Sequence, residues 1–210
     1  MRSLWLLLCL IGLVMAAPAA NAVEEPQWSL VYEDGSFSIR DYAPTVVAET
    51  RVAGERGAAI NTGFRRLARF IFGGNEPNRE IAMTAPIAQR PEGERIAMTA
   101  PVAQAASNDG WVVTFYMPPG SRLEDMPRPL DDSVVLREEA GRRVAVLRFS
   151  GLATQNNLAR HADELRQRIE ARGETPTGAL SYAFYNPPWT LPWARRNEVM
   201  IALQPVTPIT

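Results

Sequence analysis

From residue 27 the chain alternates apolar and polar positions in short runs: "WSLVYE", "FSIRDY" and "TVVAETRV", all within 27–52. This period of two, with Tyr32, Phe37, Ile39, Val46 and Val47 as β-branched or aromatic members, predicts three strands; Asp34-Gly35 predicts a hairpin turn between the first two. The period then lengthens. In "GERGAAINTGFRRLARFIFGGN", Ile60, Phe64, Leu67, Ala68 and Ile71 recur at helical spacing, Arg65, Arg66 and Arg69 take the other side, and Gly73-Gly74 ends the helix.

The same rhythm returns further on. "WVVTFYMP" reads as a strand broken by Pro118-Pro119-Gly120. "SVVLREE" and "RRVAVLRFSG" are strands joined by a turn at Ala140-Gly141. A second helix is predicted over 154–172, with Leu158, Ala162, Leu165 and Ile169 as its apolar stripe, Thr154 or Asn156 as its cap and Gly173 at its end. "LSYAFY" and "NEVMIAL" close the chain as strands. Strands, helix, strands therefore occur twice, which predicts one internally duplicated α+β domain of antiparallel strands with two helices on them.

Between the halves a phrase is doubled. Residues 81–89 read IAMTAPIAQ and residues 96–104 read IAMTAPVAQ, differing only at Ile87/Val102. Read as a strand, Ile81, Met83 and Ala85 share a face, and Pro86, lacking an amide hydrogen, belongs at a strand end or bulge. With a turn at 90–94, the expectation is a β-hairpin whose arms are near copies, left by a short duplication. Two copies are too few for a solenoid.

Composition narrows the chemistry. Arg2, an apolar run from Leu4 to Ala17 and the small-x-small pair Ala20/Ala22 form a secretory signal, expected to be cut after Ala22. The run is short of the roughly 20 residues a membrane span needs. The expected organisation is a signal peptide over 1–22 and one domain over 23–210, placed in the periplasm or secreted, with no stable membrane span after cleavage. Cys9 is the only cysteine and falls in that signal, so the mature chain is expected to hold no disulfide, thiolate nucleophile or cysteine metal site. A net charge of -1 argues against a nucleic-acid partner. All 22 basic residues are arginine, so an anionic ligand must meet guanidinium groups, and Schiff-base chemistry on lysine is excluded.

"IFGGN" followed by the IAMTAPV phrase, then "WVVTFYMP", "PRPLDD", "AVLRFSG" and "YNPPWTLPWARRNEV" resemble the SOUL heme-binding protein family. The resemblance runs from about 31 to 203, and the chain looks like an exported bacterial-type member. It implies a distorted antiparallel β-barrel of two βαββ-like halves with two flanking helices, similar to the effector-binding domains of some bacterial regulators. It also implies non-catalytic, non-covalent binding of heme or another tetrapyrrole, as a carrier, buffer or sensor. In relatives the heme lies in a shallow apolar groove beside the first helix and the loop before the last strand. On this sequence that implies Arg66, Arg69, Phe70 and Phe72 on the helix, and Trp189, Leu191, Trp193, Arg195 and Arg196 on the loop, with arginines facing the propionates. Phe64, Leu67 and Ile71 are expected in the core.

An iron ligand is not assigned. His161 is the only histidine and flanks the second helix's stripe; Met83 and Met98 are expected to pack. The acidic pairs Glu24-Glu25, Asp131-Asp132 and Glu138-Glu139 read as solvated surface, and the chain has no GxSxG elbow, phosphate loop or dinucleotide fingerprint. An enzyme is not expected. The alternative is a binding protein or sensor for another hydrophobic anionic small molecule in the same groove.

Overall fold

A computed structural model describes residues 24–91, 110–187 and 189–205. The signal segment and the second copy of the doubled phrase lie outside them. The strands are β1 (Trp28–Asp34), β2 (Phe37–Tyr42), β3 (Thr45–Ala53), β4 (Asn75–Glu76), β5 (Ile87–Pro91), β6 (Gly110–Tyr116), β7 (Arg128–Pro129), β8 (Val134–Glu139), β9 (Arg142–Phe149), β10 (Ser181–Phe184) and β11 (Asn197–Ala202). The helices are α1 (Arg56–Ile71) and α2 (Gln155–Ala171).

Nine strands form one antiparallel half-barrel in the order β1-β2-β9-β11-β10-β5-β6-β3-β8, and β4 pairs with β7 apart from it. The central six read β9-β11-β10 against β5-β6-β3. Each triplet is a βαββ unit, β9-α2-β10-β11 and β3-α1-β5-β6, and the units meet at the β5–β10 pair, Ile87 opposite Phe184. The strand-to-helix turns match too: Gly54 (φ 99°) precedes α1 and Gly151 (φ 103°) precedes α2, a backbone conformation open to glycine at little steric cost. The duplicated α+β fold of two βαββ-like halves with two helices, expected as a distorted antiparallel barrel, is formed here as a curled half-barrel.

Both helices lie on one face. α2 covers Phe37, Ala145, Leu147, Val199 and Ile201 with Leu158, Ala162, Leu165 and Ile169, the stripe read from the sequence. Thr154 caps it, its side chain accepting from the Asn157 amide at 3.3 Å. α1 covers Val46, Ala48, Val113, Phe115 and Val134, but with a rotated face. Its buried residues are Ala59, Gly63, Leu67, Phe70 and Ile71, whereas Phe64 is 37 % exposed with its ring edge-on to Phe115. Gly63 is the cause. A Cβ there would stand 2.5 Å from Val113 Cγ2, so the helix approaches the sheet along its glycine, a residue that hydropathy patterning does not count.

The first copy of the doubled phrase also departs from expectation. Residues 81–85 are not a strand; β5 begins at Ile87, after Pro86. The backbone groups of 81–85 are used elsewhere: Ile81 N–H donates to Ile71 O at 2.8 Å, Ala85 N–H to Glu24 O at 2.9 Å, and the Thr84 hydroxyl bonds Tyr116 O. Ile81 packs on the α1 core, Ala85 is buried and Met83 is 40 % exposed, so the three do not share one environment. Both edges of β5 are taken, by β6 and β10. The short Ala140-Gly141 link joins β8 and β9 without pairing them: β8 pairs with β3, and β9 with β2 and β11. The sheet curls enough for this two-residue link to join β8, at one end of the sheet, to β9, the third strand from the other end.

Candidate functional site

The loop from β10 to β11 is short on donors, because Pro187 and Pro192 have no amide hydrogen, yet it is pinned along its length. Gly151 N–H donates to Pro192 O at 2.9 Å, Thr190 N–H to Pro187 O at 3.0 Å, and Arg195 Nε to Thr190 O at 2.8 Å. Asn197 Nδ2 donates to Gly151 O at 3.0 Å. This frame holds Trp189 (82 % exposed), Leu191 (54 %) and Trp193 (74 %) outward. Leu152, 50 % exposed on the turn that the loop is bonded to, extends the same apolar surface. Contiguous exposed tryptophan and leucine on a rigid frame marks an interaction surface.

Arg196 faces inward. Its Nη1 meets Glu25 Oε1 at 2.8 Å, its Nε and Nη2 meet Glu198 Oε1 at 3.2 and 3.0 Å, and its guanidinium lies 3.6 Å from the Tyr185 ring centroid. Glu198 is fully buried and also takes Arg40 Nη1 at 3.1 Å and the Tyr185 hydroxyl at 2.6 Å. Burial, then the Glu198 charge, pushes the Tyr185 phenol far up. The ion pair Arg196–Glu198 therefore anchors the base of the loop.

The helix candidates lie elsewhere. Arg66 Nη1 donates to Arg51 O at 3.3 Å and Thr50 Oγ1 at 3.4 Å. With Arg69, it also lies close enough to Asp131 to help hold that carboxyl below its ordinary range, after the larger effect of the Ser133 hydrogen bonds. Phe72 is 61 % exposed at the end of α1, and Phe70 is 1 % exposed in the core beneath it, turned away from any surface ligand. At 1.5 Å rise per residue, Phe72 lies about 24 Å along α1 from Arg56, the end that reaches the loop. The structure thus sorts the nine candidates into two places: Trp189, Leu191, Trp193, Arg195 and Arg196 at one end, and Arg66, Arg69, Phe70 and Phe72 at the other.

Arg56 is the site residue that the sequence reading missed. It opens α1 and crosses the seam between the two halves, donating from Nη1 to Ala153 O at 3.1 Å. Its guanidinium lies between Trp111 (5.7 Å) and Phe184 (5.8 Å). Nε is buried without a hydrogen-bond partner, and burial lowers the pKa of the guanidinium. A desolvated cation with an unmet donor, between aromatic rings and beside an exposed apolar loop, fits an anionic group carried on an apolar body. The only signal in the sequence was its place at a helix start, where a cation is disfavoured by the helix dipole.

His161 stacks on Phe149 (centroids 4.1 Å, 16° between planes), with Nδ1 2.7 Å from Asn157 O. Among the described residues no group of three or more His, Cys, Asp or Glu side chains is placed to hold a metal ion, and no helix is long and apolar enough to cross a membrane.

A half-barrel of two βαββ units, with a helix over each and an exposed apolar loop before the last strand, defines a class of duplicated α+β domain. The chain belongs to the SOUL heme-binding protein family, whose model matches residues 23–202. It is similar to human Heme-binding protein 2, 31% identical over 189 residues that cover 87% of each chain. Among solved structures it is similar to the EcmrR C-terminal domain, with TM-score 0.54 at 10% identity, covering 81% of this chain and 98% of that one. A hydrolase from Listeria innocua has TM-score 0.53 at 10% identity, covering 83% and 94%. At such identities the two solved structures carry the fold alone.

Proposed function

We propose that this protein binds heme non-covalently and without catalysis, as an exported carrier or buffer, in the groove where the first turns of α1 meet the tryptophan loop. Family membership supports heme as the ligand. The observation that carries the place is the pairing of Trp189, Leu191, Trp193 and Leu152 with the half-buried Arg56. Heme is a flat apolar disc with two carboxylates on one edge. The loop offers it apolar area, and Arg56 Nε offers a propionate an unmet donor. Arg195 sits in the same loop. Arg196, committed to Glu198 and Glu25, supports the groove rather than meeting the ligand. His161, stacked on Phe149 with Nδ1 against Asn157 O, is the chain's one histidine and the candidate to test as an iron ligand.

Hemin titration of the purified chain, followed at the Soret band, tests this reading. Saturable one-to-one binding is expected. Removing both tryptophan rings (Trp189→Ala with Trp193→Ala) should weaken it by about tenfold or more, since burial of each aromatic ring contributes over 1 kcal/mol. Arg56→Gln should weaken it less, and Arg69→Gln not at all. Equal losses for Arg69→Gln and Arg56→Gln would move the site to the other end of α1. No saturable shift would remove heme and favour another hydrophobic anion.

A further inference from the structure

The face of the sheet turned away from the helices holds a separate cavity of about 260 Å³. It is walled on one side by Arg90, Arg137, Arg142, Glu139 and Tyr116. Strand alternation assigns the face: Ile87 packs on the α1 core, so Ala88 and Arg90 point the other way, with Thr114 opposite Ala88. Ala88, Val144 and Ala202 add small apolar lining, with Gln89, Thr114 and Ser181 as uncharged polar members.

The charges in this cavity do not balance. Arg137 donates from Nε and Nη2 to Glu49 Oε2 at 3.0 and 2.9 Å, and from Nη2 to Glu139 Oε1 at 3.2 Å. Arg142 pairs with Glu139 and donates to the Tyr116 hydroxyl at 3.4 Å. Arg90 stands 3.8 Å from Glu49 Oε2, an ion-pair distance beyond hydrogen bonding. With Arg51 Nη2 also 3.7 Å from Glu49 Oε1, four guanidiniums share two carboxylates, which leaves positive charge in excess, and Arg90, at 3.8 Å, is the cavity-lining arginine held most loosely.

Size limits the ligand. At about 30 Å³ per water, the space equals roughly nine waters. That matches a ring-sized organic acid and is too small to enclose a porphyrin.

We propose that this cavity is a second binding site, distinct from the heme groove, for a small organic anion with one carboxylate on an apolar body. Arg90 takes the carboxylate on its planar fork, and Ala88, Val144 and Ala202 contact the body. Arg90 belongs to β5 in one half, and Arg142 and Ala202 to β9 and β11 in the other. An occupant therefore ties the halves together and raises the melting temperature.

The probe is benzoate, with benzamide as its neutral isostere, titrated calorimetrically into the purified chain. Benzoate should bind saturably at up to millimolar concentration and raise the melting temperature; benzamide should do neither. Arg90→Gln should weaken benzoate by about tenfold, the worth of one charge-assisted contact, while leaving the hemin Soret titration unchanged. Arg90→Lys keeps the charge and loses the fork; it should fall between the two, and it is decisive should Arg90→Gln fail to fold. The proposal is overturned by equal binding of benzamide, by unchanged benzoate affinity in both variants, by displacement of benzoate with hemin, or by no benzoate binding at all. Loss of hemin binding in the wild type would sink the heme reading and leave this one standing.

Discussion

Tyr116 lies between β5 and β3 with its hydroxyl against Arg142; burial, seconded by the Glu139 charge, pushes its phenol up to about 12. Below pH 10 it is protonated in both folded and unfolded chains. Between pH 10 and about 12 the unfolded chain releases the proton first, so stability falls as pH rises through that window. Ultraviolet titration should show this tyrosine ionising late, and Tyr116→Phe should flatten the alkaline loss of stability; an unchanged alkaline limb would refute the assignment. At the same scale, the exposure of Trp189, Leu191 and Trp193 agrees with the apolar surface that the family resemblance implied for "NPPWTLPWARR". The roles of two arginines were not. Arg196 is drawn inward by Glu198, and Arg56 gains its place from Ala153, ninety-seven positions away.

Elements were legible where period and caps agreed. α2 has both: its stripe is buried as read, and Thr154 caps it. Thr154→Ala should cost about 1 kcal/mol in denaturant unfolding. α1 lacks a side-chain cap at Glu55, so Glu55→Asp should raise stability by about 0.5 kcal/mol; a loss there would mean that Glu55 has another role. The rotated face of α1 follows from Gly63. Gly63→Ala gains helix propensity but drives a methyl into stiff, β-branched Val113, and the net expectation is a loss of about 1–3 kcal/mol. Val113→Ala in the same chain should recover part of it, and a double-mutant cycle measures the coupling. Simple additivity would show that Gly63 does not set the approach. The strand expected over 81–85 failed because Pro86 separates it from β5 and its amides go to Ile71 and Glu24.

For the whole molecule, one continuous sheet joins two units, each with a helix over its own apolar cluster. The units meet through the β5–β10 ladder and through Arg56 bonded to Ala153. A shared sheet predicts one cooperative transition. Far-ultraviolet dichroism, which reports both halves, and tryptophan fluorescence, to which the half-buried Trp111 contributes, should give coincident denaturation curves; separated midpoints would show that the halves unfold independently.

Local order was written into the chain itself. Alternation, helical spacing, caps and breakers act over a few residues, and they specify the duplicated strand–helix–strand rhythm and the α2 face; the apolar loop before the last strand was implied by the family resemblance. The folded arrangement decided everything that depends on groups far apart in sequence: which face of α1 is buried, which arginines are tied to carboxylates, and how the sheet curls to set Arg90, Arg137 and Arg142 around one cavity. Periodicity records what a residue is and how often it recurs. The charge, burial and reach of a side chain depend on its partners, and those are chosen only when the two halves close on each other.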